Sequence, residues 1–142
     1  AHYFRAFTPE ESLVHFHRAM VTCASVPLQK ACLAALQGPQ DCVAQMVSQF
    51  DRRRKAVGQA LKKIGRVFPR PCEGAFYFFP RYEHSLGSKE MTSYLAERGL
   101  LVRNGTEFGA KGQNHIRLSF ATSVEEIEEG MKRLKTALDD LK

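Results

Sequence analysis

Asn114-His115-Ile116-Arg117-Leu118-Ser119-Phe120-Ala121 sets one arginine inside an apolar run, and Thr122-Ser123 follows it as a helix-capping pair. A strand alternates its faces, so Ile116, Leu118 and Phe120 point one way and Arg117 and Ser119 the other. With the apolar face in the core, a rigid element holds Arg117 and aims it at whatever lies opposite. A planar guanidinium so held can donate two parallel hydrogen bonds to a carboxylate. The alternative is an arginine on a solvated strand face, paired with a neighbouring Asp or Glu.

Working outward, Ser123-Val124-Glu125-Glu126 reads as a capping box that opens a last helix with Ile127, Met131, Leu134, Leu138 and Leu141 as its buried stripe. Upstream, Leu100–Arg103 predicts a short strand ending at the Asn104-Gly105 turn. Ser88 is expected to cap a helix carrying Met91, Tyr94 and Leu95 that stops at Gly99, and Ala75–Phe79 reads as a central strand covered on both faces. Residues 66–142 thus form a compact lobe of helices and strands, and the fold class is α+β.

The first part of the chain reads differently. Thr8-Pro9-Glu10-Glu11 is a capping box for a helix running to about Thr22. Ser25 is expected to cap a second helix, apolar nearly all round, that Gly38 closes at a left-handed position. Val43, Met46, Val47, Phe50, Val57, Leu61 and Ile64 then mark a long helix over residues 41–65. At 1.5 Å per residue it would reach nearly ~40 Å, a length that suits a connector between lobes.

Composition is that of an ordinary water-soluble chain, with 44% hydrophobic and 25% charged residues. No apolar run approaches the roughly 20 residues that span a bilayer, so no membrane role is expected. Cys23, Cys32, Cys42 and Cys72 form no C-x-x-C pair, which argues against zinc and for a reducing, cytoplasmic setting. His15 and His17 are two apart and do not face one another on a helix, so no metal ligands are assigned. Residues 1–71 hold eleven Lys/Arg against four Asp/Glu, with the densest run at Arg52-Arg53-Arg54-Lys55. That excess admits a second reading, a freestanding basic α+β module that binds an acidic partner such as RNA. No aromatic residues interleave with the run, as a single-strand groove would require.

Three stretches in order, Pro71-Cys72-Glu73-Gly74-Ala75-Phe76-Tyr77, Val102-Arg103-Asn104-Gly105-Thr106-Glu107-Phe108-Gly109 and Ile116-Arg117-Leu118-Ser119-Phe120-Ala121, resemble successive signatures of the class I/II (fold type I) pyridoxal-phosphate aminotransferases. The resemblance continues upstream through Thr22-Cys23-Ala24-Ser25, Gln29, Ala35–Asp41 and Arg52-Arg53-Arg54, and Tyr3-Phe4-Arg5-Ala6 looks like the strand just after the cofactor lysine. It implies residues 1–40 as a helical remnant of the large cofactor-binding domain, 41–65 as the connector helix, and 66–142 as the small C-terminal domain. It further implies an aspartate-aminotransferase-like, homodimeric parent that exchanges amino groups between an amino acid and a 2-oxo acid, without nucleic acid. In this resemblance Arg117 binds the substrate α-carboxylate and Phe108 is an apolar wall beside it. None of Lys30, Lys55, Lys62, Lys63, Lys89, Lys111, Lys132, Lys135 and Lys142 sits in an S-x-S-K-like turn. The Schiff-base lysine is therefore expected to be absent, leaving no catalytic or cofactor-binding residue to assign, and the chain inactive alone. Asn104-Gly105 stands where the family more often has Pro-Gly, which leaves the side-chain preference of the substrate open.

Overall fold

A computed structural model describes residues 8–21 and 23–141. The motif at Tyr3-Phe4-Arg5-Ala6, together with Thr22 and Lys142, lies outside the described residues. The chain divides into two compact units, Ala1–Asp41 and Cys42–Lys142.

In the first unit, α1 spans Pro9–Met20 and α2 spans Val26–Gln37. The capping box forms reciprocally, with the Glu11 amide donating to Thr8 Oγ1 at 3.2 Å and the Thr8 amide to Glu11 Oε2 at 3.0 Å. Helix α1 stops at Met20 because Val21 is extended, short of the expected Thr22. Two cap expectations fail. Ser25 makes no side-chain cap to α2, and Gly38 sits at φ −74 rather than in the left-handed region. Gly38 is demanded by space instead: an added Cβ would stand 2.7 Å from the Ala34 carbonyl oxygen. Neither helix has a buried residue, and Leu13, Phe16, Leu28 and Leu36 are all exposed.

The second unit opens with α3 (Asp41–Leu61), two turns of which face the core through Val57 and Leu61. It ends about one turn before the expected residue 65, so its length is about 31 Å. The last amides tighten to three-residue bonds, Lys63 to Ala60 and Ile64 to Leu61, which stops the helix short of β1. Asp51 organises the basic run that follows it. It accepts from Arg54 at 2.6 Å and pairs with Lys55 at 2.7 Å, while Arg53 lies over the Phe50 ring at 5.2 Å. Three of the run's four cations are thereby engaged within their own helix.

These partners, Lys55 first and then Arg54, hold the Asp51 carboxyl below the usual aspartate range. A depressed value in the folded state adds stability above the ordinary aspartate pKa, and that stability is lost as pH falls through the lowered one. Asp51→Asn is therefore expected to flatten the acid limb of stability against pH, with no change in slope at neutral pH. Denaturant midpoints collected across the acid range read this directly, and an unaltered acid limb would refute it.

The sheet elements are short and antiparallel. β1 (Val67–Phe68) pairs with β3 (Arg81–Tyr82), and β2 (Tyr77–Phe78), β5 (Ile116–Ser119) and β4 (Arg103–Asn104) form a three-stranded sheet in the order β2-β5-β4. β2 is thus an edge strand, not the covered central strand expected over residues 75–79. Ala75 at φ 59 bends the chain before it; after it the Pro80 carbonyl still accepts from the Ile116 amide at 3.3 Å, and Arg81 bridges His115 in the same register. Phe78 is buried while Phe76 and Tyr77 are exposed. The apolar run is explained by rings that serve opposite faces.

Helices α4 (Ser88–Glu97) and α5 (Val124–Asp140) complete the unit. Ser88 is not the cap of α4; Gly87 holds that position without a side-chain bond. Ser88 is buried instead, where its hydroxyl donates to the Gly112 carbonyl at 3.1 Å and accepts from the His115 amide at 3.3 Å. Gly99 ends α4 with φ 72, as the sequence implies. Ser123 caps α5 by accepting from the Glu126 amide, and Ile127, Leu134, Ala137 and Leu138 are its buried residues. Tyr94 Oη donates to the Ala137 carbonyl at 2.9 Å and ties α4 to α5. The fold is α+β.

Candidate functional site

Along β5, Ile116, Leu118 and Phe120 are buried while Arg117 is half-buried and Ser119 exposed, as strand alternation requires. The register then decides what shares the outer face. Tyr77 is the cross-strand partner of Ser119, and Arg103 is the partner of Arg117. Directly opposed residues project to the same side, so the three strands present Tyr77, Ser119, Arg117 and Arg103 together.

The loop after β4 completes the arrangement. Asn104 sits at φ −65, the angle a proline would impose, and its side-chain oxygen accepts from the Thr106 amide at 3.0 Å. This caps a single tight turn over Gly105–Phe108. Asn104 therefore meets the backbone demand of the position and adds a cap that proline could not. Gly105 and Gly112 pack backbone to backbone, and a Cβ on Gly105 would collide with the Gly112 and His115 carbonyls.

That turn brings Phe108 over the guanidinium of Arg117, 4.4 Å from ring centroid to Cζ, and Tyr77 lies on it at 4.9 Å. The two rings hold the charge in place, each cation–π contact contributing about 0.5–1 kcal/mol. Behind Phe108 stands Phe79, edge-on at 5.8 Å, and His115 stacks on Phe79 at 5.0 Å. Among the described residues Arg117 has no ion-pair partner. Arg103 differs in this respect: its Nε donates to Glu107 Oε2 at 2.9 Å and its Nη2 to the same oxygen. Chemically, the face offers one preorganised cation, without an ion-pair partner among the described residues and framed by aromatic walls, which suits a carboxylate.

The structure brings together both residues singled out from the sequence, Arg117 and Phe108. Tyr77, Arg103 and Glu107 were not singled out. Tyr77 carried a signal in the P-x-G-A-F-Y stretch, but only the register of β2 on β5 reveals its place. An apolar groove of about 500 Å³, lined by Val43, Met46, Val47, Phe50, Phe76 and Phe120 among others, contains neither Arg117 nor Phe108. Among the described residues no group of three or more His, Cys, Asp or Glu could hold a metal, and no helix is long and apolar enough to cross a membrane.

The family described as "Aminotransferase class I and II" matches residues 10–134. The chain is 37% identical over 124 residues to a probable aspartate aminotransferase of Methanocaldococcus jannaschii, covering 87% of this chain and 32% of that protein. It is 34% identical over 136 residues to aromatic-amino-acid aminotransferase 2 of Thermococcus litoralis, covering 93% and 35%. Among solved structures, an aromatic aminotransferase from Pyrococcus horikoshii superimposes with a TM-score of 0.83 at 34% identity, over 92% of this chain and 36% of that one. The chain spans about a third of the length of these relatives.

Proposed function

This chain belongs to the class I and II aminotransferases, and on that premise we propose that its Arg117 binds the α-carboxylate of an amino acid in a pyridoxal-phosphate-dependent transaminase. The observation that carries the reading is a guanidinium fixed between Tyr77 and Phe108, with no carboxylate of the described residues in ion-pair range. Such a group has already lost its side-chain freedom before substrate arrives, so less of the binding energy is spent on ordering it. Two parallel N–H···O bonds would fix the carboxylate in one plane and hence orient the Cα–H bond that the reaction must break. Phe108 and Tyr77 keep water from the faces of the guanidinium, which strengthens the charge-assisted bonds at its edge.

The intact enzyme exchanges an amino group between an amino acid and a 2-oxo acid, with residues 1–40 in its large domain, 41–65 as connector and 66–142 as its small domain. Pyridoxal phosphate, when bound, supplies the electron sink for that exchange. The groups assembled around Arg117 are aromatic rings, a hydroxyl, a second guanidinium and a carboxylate, with no lysine among them. They fit the substrate's acid group and not the cofactor, so no step of the cofactor's chemistry falls to them. The parent is read as a cytoplasmic homodimer, and this chain as silent by itself.

Two measurements test this. Added pyridoxal phosphate is expected to give no protein-imine absorbance with the isolated chain, and a lysine-dependent imine band would overturn its assignment as the part without the attachment site. In the intact enzyme, substitution of Arg117 is expected to depress kcat/KM.

A further inference from the structure

Arg103 and Arg117 are direct partners across β4 and β5, so two guanidinium side chains leave the same face of the sheet side by side. Like charges so placed repel, and the structure treats them differently. The turn Gly105–Phe108 delivers two consecutive side chains, Glu107 to Arg103 and Phe108 to Arg117. Glu107 takes both Nε and Nη2 of Arg103 on one carboxylate oxygen. Phe108 gives Arg117 a ring and no charge. One cation is thereby neutralised and its neighbour left open, by adjacent residues of a turn that the Asn104 cap and the Gly105–Gly112 contact hold in place.

We propose that Glu107 is a specificity-determining residue: by occupying Arg103 it keeps the carboxylate site singly charged and so favours amino acids with one carboxylate and an apolar side chain. This rests on Arg117 being the α-carboxylate clamp. With Glu107 engaged, the surroundings of the bound acid are the Arg117 guanidinium and the rings of Tyr77 and Phe108. Release of Arg103 would place a second cation one strand away, within reach of a second carboxylate on the same substrate. The pair is solvent-accessible, with Arg103 62% and Glu107 40% exposed, so Arg103 can turn towards a ligand without unpacking the core.

The test compares the intact, cofactor-loaded enzyme with its Glu107→Gln variant and with the double variant Arg103→Gln/Glu107→Gln. Two quantities are measured in each. One is the ratio of kcat/KM for a dicarboxylic amino acid to that for an apolar one. The other is the ratio of Kd for succinate to that for propionate as inhibitors. Glu107→Gln is expected to shift both ratios about three- to tenfold towards the dicarboxylate, as an added charge at a partly exposed site would. The double variant is expected to bring both back to the starting values. Equal losses on both substrate classes, or a shift that persists in the double variant, would overturn the proposal by showing a merely structural role. Arg117→Lys in the same set separates the two readings. If it lowers kcat/KM for both classes while Glu107→Gln leaves the ratios fixed, the clamp stands and the role of Glu107 falls. If Arg117→Ala, measured alongside, changes neither class, the clamp itself is wrong, and the proposal falls with it.

Discussion

Arg117→Ala in the intact enzyme is expected to lower kcat/KM roughly a hundredfold or more, about 3 kcal/mol, with the protein's folding little affected. The size follows from what the proposed clamp would lose: a charge-assisted, two-pronged contact whose absence would leave a substrate carboxylate without its partner. Each tenfold step in rate constant corresponds to about 1.4 kcal/mol. Arg117→Lys retains the charge and forfeits the planar fork, so it is expected to fall between the parent and the alanine variant, about tenfold below the former. The order of the three proteins carries more weight than any one value. If lysine serves as well as arginine, geometry at this position is unimportant and only charge counts. If alanine lies within about twofold of the parent, Arg117 is not the clamp. Stability serves as the control, because the side chain is half-buried on the outer face and packs on two partly exposed rings. A large fall in melting temperature in Arg117→Ala would mean that lost activity reports unfolding.

The second large effect is structural. Phe120→Ala is expected to cost about 3–5 kcal/mol of stability, the range for removing a buried aromatic ring. Phe120 is 1% exposed and sits against Phe78 at 5.8 Å and Phe50 at 6.1 Å, so one ring joins β2, β5 and α3. Its own amide donates to the Phe76 carbonyl at 2.9 Å, which carries the β2–β5 pairing one residue further. Removal leaves a gap that two rigid rings cannot fill by rotation, and the cost rises with the volume left empty. For a unit of this size the melting temperature should drop by more than about 10 °C. A loss below about 1 kcal/mol would mean that Phe50 and Phe78 close over the space, and that α3 is not anchored to the sheet through this residue.

Phe120 also shows how closely sequence and packing correspond here. Its burial follows from alternation along a single strand, a local rule that needs no partner. The same rule gave Ile116, Leu118 and the outward aim of Arg117. The stripe of α5 and the reciprocal cap at Thr8 were legible for similar reasons, since a helix repeats and a capping box closes within four residues. Expectations failed where a distant partner intervened. Ser88 has the composition of a cap and instead bonds Gly112 and His115, more than twenty residues away in sequence. Ala75–Phe79 has the apolar content of a central strand and lies at the edge, because only the pairing order places it. Gly38 was read for its backbone freedom and is required for its lack of a side chain.

The amino-acid order by itself determined the α+β class, the family, and the position of one arginine on the outer face of a strand. These depend on periodicity, capping and motif order, which are properties of neighbours along the chain. Only the tertiary structure decided what surrounds that arginine. Strand register put Tyr77 and Arg103 on its face, and a glycine–glycine contact fixed the turn that presents Glu107 to one guanidinium and Phe108 to the other. Register and close backbone approach are set by contacts between segments far apart in sequence, so no local pattern encodes them.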